Sequence, residues 1–182
     1  MNGRVAVVLA ALLMVAPVAT TGVAAHDGTH EGSTTATPTG GSDCGFPVTR
    51  TDATGTEVTV EERPTRVVTL SPSAAQTLWD VGARDRVVGV TEFAGYLNGS
   101  DDLPRVNTGE GGFDAERIVA LEPDLVFAPG TVSNGTVASL RERGLPVFAL
   151  ETPATVDGVA TKTGTTGRLV GECQGARRTV QW

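Results

Sequence analysis

The sequence predicts an α/β chain folded as a single Rossmann-like lobe: a mainly parallel sheet flanked by helices, with an N-terminal β-hairpin. Three observations carry this. Residues 66–91 run strand, serine turn, helix, strand, a crossover that places two parallel strands in one sheet. Short β-branched apolar runs then alternate with amphipathic stretches as far as residue 150, the order expected of a sheet with helices on its faces. Ahead of them, residues 46–61 alternate apolar and polar side chains on either side of a glycine.

The chain has 182 residues, enough for about one domain once its terminal segments are set aside. A net charge of −7 argues against nucleic acid or an anionic membrane surface as partner. Lys162 is the only lysine, and the other basic residues are arginines. An acidic, lysine-poor, threonine-rich surface is that of proteins working in high salt, although a GC-rich genome alone produces the same arginine bias.

Residues 1–25 have the parts of a secretory signal. Arg4 gives the positive start, residues 5–15 an uninterrupted apolar run, and Val23, Ala24 and Ala25 a cleavage site after Ala25. The run is shorter than the roughly 17 residues of a membrane span. Residues 26–43 form a linker of Gly, Ser, Thr and Pro, too poor in apolar groups to order itself. Its His26 and His30 are the only histidines; a weak metal site with Asp27 and Glu31 is conceivable, but a solvated tail is the better reading, since a flexible segment loses entropy in forming a site. Two distant cysteines, Cys44 and Cys173, in an exported chain imply a disulfide, with two buried thiols as the alternative.

From residue 44 the folded lobe begins. Residues 48–52 pair with 56–60 around a turn that Gly55 permits. Residues 67–70 form a buried strand, which Ser71, Pro72 and Ser73 stop. Ser73 with Gln76 makes a capping box; Ala74, Leu78 and Val81 give the helix one apolar face, and Gly82 closes it. Residues 86–91 return as a strand, and residues 92–104 are a loop by composition. Its aromatics, Phe93 and Tyr96, either line a ligand cleft or form a small core beneath the loop.

A short third strand is expected at residues 105–108. The glycines that follow fit no phosphate-binding pattern; Gly111 and Gly112 instead let backbone approach a ligand. Asp114 caps a helix whose apolar stripe is Ala115, Ile118 and Val119, and Glu116 in its first turn is favoured by the helix dipole. Glu122 and Pro123 end it before a buried strand at 125–128. Residues 134–143 form a helix with Val137, Ala138 and Leu140 inward, and residues 146–150 the last strand. Asn98 and Asn134 open glycosylation-type triplets, a pattern that often arises by chance.

The strings RVVTLSPSAAQTLWDVGARDRVVGVT and FDAERIVALEPDLVFA resemble the cobalamin and iron-siderophore family of solute-binding proteins, the class III periplasmic-binding-protein-like components of ATP-driven importers. The resemblance runs in family order over residues 54–175. It implies two lobes with the ligand between them, of which residues 44–171 are the N-terminal one. Residues 172–182 are then the start of a truncated inter-lobe helix, the second lobe being missing. It also implies a helix at 155–171, and a helix is expected there, although Gly158, Gly164, Thr163, Thr165 and Thr166 support it poorly and leave a loosened segment as the alternative. Tyr96 is assigned to the ligand site, and Glu116 to pairing with arginines of the membrane permease.

The implied function is capture of a large chelate, cobalamin or a ferric siderophore, by an exported, extracellular or cell-surface component of an ABC importer. No catalysis and no cofactor are expected. The ligand face should comprise Ser71, Pro72, Ser73, Phe93, Tyr96, Gly111, Gly112 and Phe113, on loops that a parallel sheet gathers at one edge. Glu116 should lie beside that face and point outward. The alternatives are an α/β hydrolase or nucleotide-using enzyme, or a surface interaction module without a ligand. Ser71 and Ser73 lack the G-x-S-x-G elbow, and the folded region has no histidine to activate them. Zinc or manganese sites want histidine ligands, also missing from the folded region. Haem would require Tyr96 as axial ligand.

Overall fold

The computed structural model describes residues 44–109 and 111–181. The signal segment, the linker, its two histidines and Trp182 lie outside the described residues. The hairpin forms as expected: β1 (Val48–Thr51) pairs antiparallel with β2 (Glu57–Val60), Val48 opposite Val60. Gly55 turns the chain at φ 79°, a left-handed conformation that side chains resist.

Four strands form the parallel sheet: β3 (Val67–Thr69), β4 (Val87–Gly89), β5 (Leu125–Pro129) and β6 (Val147–Leu150), in the order β4-β3-β5-β6. Successive residues face opposite sides, and both sides are covered. Val67, Leu125, Phe127, Phe148 and Leu150 pack in one core with α1 (Pro72–Val81), α4 (Val156–Leu169) and α5 (Cys173–Thr179). Val68, Val126, Ala128, Val147 and Ala149 pack in the other with Ile118 of α2 (Ala115–Ala120) and Val137 and Leu140 of α3 (Asn134–Glu142). Double coverage explains why these strands are continuous apolar runs.

The start of α1 corrects the sequence reading. Its cap is Ser71, in extended backbone, whose hydroxyl accepts from the Ala74 amide at 3.1 Å. Pro72 is then the first helical residue, where its fixed φ suits the helix and its missing N–H costs nothing. Gln76 does not close a capping box on Ser73 but donates to Asp80 at 2.9 Å. The helix ends as expected at Gly82, φ 91°.

Three further expectations need correction. Residues 105–108 do not form a strand: Arg105 bridges Val90 and Asn107 bridges Phe113, each in isolation, because the Asp114 amide returns at once to the Val106 carbonyl. Val119 is exposed, since six residues of α2 turn only Ile118 fully to the sheet. Ala138 is exposed as well, leaving Val137 and Leu140 to anchor α3.

The helix expected at residues 155–171 forms as α4, continuous and capped by Thr155. Thr163 and Thr166 are buried in it where aliphatics were awaited. Glycine here serves close packing: a Cβ on Gly167 would stand 2.4 Å from the Ala176 Cβ, and one on Gly175 would stand 1.8 Å from the Val81 carbonyl oxygen. The cost of glycine inside a helix, about 1 kcal/mol, is offset by letting α5 lie directly on α1 and α4.

Two ion clusters fasten the periphery. Glu172 accepts from Arg63 and Arg86, and Arg86 also reaches the Val170 carbonyl, tying the α4–α5 junction to the edge of β4. Arg141 of α3 pairs with Asp52 at the hairpin turn. Cys44 and Cys173 are disulfide-bonded with a Cα separation of 5.7 Å, joining the start of the lobe to α5.

Candidate functional site

In an open parallel sheet, loops leaving the carboxyl ends of the strands on either side of a reversal in strand order splay apart and leave a crevice. Here the reversal falls at β3, with β4 on one side and β5 on the other. A cleft of about 1350 Å³ opens there. Its walls are residues 70–73 after β3, 111–113 before α2, 129–133 after β5 and 151–153 after β6, with Tyr96 and the α4 residues Val159, Lys162 and Thr163.

Each wall has a local cause. Ser71 and Ser133 cap α1 and α3, so two helices start at the rim. Thr108 and Gly112 are joined by the Thr108 amide and the Gly112 carbonyl at 2.9 Å, and Gly111 takes φ 78°; its glycine is required by the turn itself. Gly130 has no room for a side chain, because a Cβ would meet the Leu150 carbonyl oxygen at 2.6 Å, so the loops after β5 and β6 touch. Residues 92–104 are held by the Ser100 hydroxyl donating to the Ala94 carbonyl and by the Trp79 indole N–H donating to the Asn98 carbonyl. Ala94 and Leu97 of that loop join the core on the α1 side of the sheet, with Leu103 packed against it, which leaves Phe93 and Tyr96 outside, 62% and 63% exposed. Tyr96 leans over the start of α1, its hydroxyl 3.4 Å from the Pro72 carbonyl.

The structure thus brings Ser71, Pro72, Ser73, Tyr96, Gly111, Gly112 and Phe113 to one cleft; Phe93 does not line it. Glu116 is exposed, outside the cleft lining and, among the described residues, in no ion pair. Sequence reasoning missed the loops after β5 and β6, although the rule that selected the loop after β3 covers them equally. It also missed Lys162, whose Nζ donates to Ser73 Oγ at 3.2 Å and whose burial lowers its pKa. The position four residues after Gly158 in a helix of doubtful pattern carried no signal pointing into a cleft.

Among the described residues no cluster of three His, Cys, Asp or Glu side chains could hold a metal ion. The lining combines hydroxyls, backbone at helix starts, one ammonium, the exposed carboxylates of Asp80 and Glu151, and the flat surfaces of Tyr96 and Phe113. Among the described residues it brings no histidine to a serine. The fold and cleft define an α/β lobe with a crevice at one edge of its parallel sheet.

Comparison with known proteins makes the class definite. Residues 67–181 match the family described as periplasmic binding protein, and the chain belongs to that family. It is 48% identical over 138 residues to a cobalamin-binding protein of Halobacterium salinarum, covering 75% of this chain and 37% of that protein. It is 32% identical over 108 residues to an uncharacterized ABC transporter substrate-binding lipoprotein, YvrC, of Bacillus subtilis, covering 58% of this chain and 34% of that one. The crystal structure of the heme binding protein HmuT superposes with a TM-score of 0.66 at 23% identity, over 75% of this chain and 45% of that one, a likeness of fold. The chain spans little more than a third of the length of these curated relatives.

Proposed function

We propose that this chain is the N-terminal lobe of the exported solute-binding component of an ABC importer, and that its ligand is a corrinoid. The observation that carries the reading is the cleft of about 1350 Å³ at the strand-order reversal, walled by four loops and by Tyr96. Pockets for drug-sized ligands are about 300–1,000 Å³, so this one suits a larger molecule, and the flat faces of Tyr96 and Phe113 suit a macrocycle. The H. salinarum relative, at 48% identity, favours cobalamin over a ferric siderophore or haem.

In this reading residues 44–171 are the lobe, residues 1–25 a cleaved signal and residues 26–43 a linker. The chelate sits between the lobe and a second one, and residues 172–182 lead towards it. Ser71, Pro72, Ser73, Tyr96, Gly111, Gly112 and Phe113 contact the ligand, while exposed Glu116 meets arginines of the permease. Phe93, outside the cleft, has no part in the contact.

Calorimetric titration of the purified chain with cyanocobalamin, a ferric hydroxamate and haem tests this. Cyanocobalamin should bind most tightly, and Tyr96→Ala should weaken it about tenfold, as expected for losing an aromatic contact of about 1.4 kcal/mol. Absence of binding to all three would end the reading.

A further inference from the structure

The cleft contains a cation whose presence the fold does not require. Lys162, the only lysine in the chain, is carried half-buried by α4 into the cleft wall beside the start of α1. Every ion pair among the described residues is made by an arginine, and none involves Lys162. The two carboxylates of the lining, Asp80 and Glu151, are both exposed and neither pairs with it; Asp80 accepts from Gln76 instead.

A partly buried ammonium without a counter-ion is under-compensated. Burial accordingly lowers the pKa of Lys162. Among the described residues its one polar contact is the Ser73 hydroxyl oxygen at 3.2 Å, which in turn lies 3.3 Å from the Ser71 hydroxyl. Ser71 accepts from the Ala74 amide and Ser73 accepts from Lys162. Each hydroxyl has a single proton, so even if one is spent between the two serines, the other remains to donate into the cleft. The corner therefore presents an ammonium beside hydroxyl donors, with no carboxylate paired to it among the described residues.

We propose that Lys162, Ser73 and Ser71 form an oxyanion-binding corner of the cleft, so that its ligand carries an ionised phosphate or carboxylate group. The assignment deepens the chelate reading and rests on it for the identity of the ligand, while the corner itself can be tested alone.

Because Lys162 is the sole lysine, acylation with acetic anhydride followed by peptide mass spectrometry reports its side chain at one site. Inorganic phosphate should slow acylation of Lys162 about tenfold relative to chloride at the same ionic strength, with the chain's α-amino group as internal control. Equal rates in the two salts would overturn the corner. In a second arm, cobalamin is compared with cobinamide, which lacks the phosphodiester, and haem with its dimethyl ester, which lacks free carboxylates. Lys162→Gln should reduce the affinity ratio of one of these pairs about tenfold, and the affected pair identifies the group; Lys162→Arg should preserve the ratio. Ratios unchanged by Lys162→Gln would overturn the proposal. If no chelate binds the wild-type chain, the chelate reading falls, and phosphate protection decides the corner on its own.

Discussion

Replacing Cys44 or Cys173 by serine should lower the unfolding free energy by about 4–5 kcal/mol, the chain-entropy value for a loop of this length. The bridge spans a sequence separation of 129 residues, nearly the whole described lobe, and its Cα separation of 5.7 Å is that of an ordinary disulfide. It fixes α5 at the point where Gly175 lets that helix lie against the end of α1. Domains of this size are stable by about 5–15 kcal/mol, so the loss is a large part of the total. Urea unfolding of the oxidised chain and the serine variants measures it directly. A difference below about 1 kcal/mol would mean that α5 is held by packing alone, against the entropic account.

Asp52→Ala should destabilise by about 3–5 kcal/mol, the range for removing one partner of a buried ion pair. The Asp52 side chain is 0% exposed and accepts from Arg141, from the amides of Thr54, Thr56 and Ala149, and from the Thr54 hydroxyl. It thereby joins the hairpin turn to β6 and, through Arg141, to α3. Burial alone would raise its pKa, but the hydrogen bonds from Thr54, the Ala149 amide and Arg141 outweigh that and hold it below the ordinary value. A lowered carboxyl pKa stabilises the fold above the unfolded value, about 3.9, and the contribution fades as pH falls through the folded one. Wild-type stability should therefore drop on acidification below about pH 4 more steeply than that of Asp52→Ala. Parallel pH profiles for the two proteins would count against this coupling.

The parallel sheet was legible because burial on both faces writes itself as apolar runs at residues 67–70, 125–128 and 146–150, and each is a strand. Helix starts were legible wherever one candidate cap stood alone, as at Asp114. Around Ser71, Pro72 and Ser73 two serines competed, and the preference of proline for the first helical position decided between them. Helix α4 was hardest to read, because its buried face uses Thr163, Thr166 and Gly167 against a neighbouring helix. Small residues chosen for close approach look in sequence like a weak helix.

The same blindness hid part of the cleft. Tyr96 and Phe113 stood out as rare aromatics, whereas Gly130 and Thr152 matter through where the backbone goes, and Lys162 through a long side chain crossing from a helix whose pattern was doubtful. Phe93 stood out for the same reason as Tyr96 yet faces solvent. Rarity of a residue type flagged the loop but could not choose between two positions three apart on a turn.

Hydrogen exchange of the chain with and without cyanocobalamin tests the central claim most directly, since it asks both whether the ligand binds and where. Protection is predicted in peptides covering residues 70–77, 96, 111–113, 129–133 and 151–153, the walls of the cleft, with α2 beyond its first turn unchanged. Protection confined to α2, or exchange unaltered by the ligand throughout, would contradict the account.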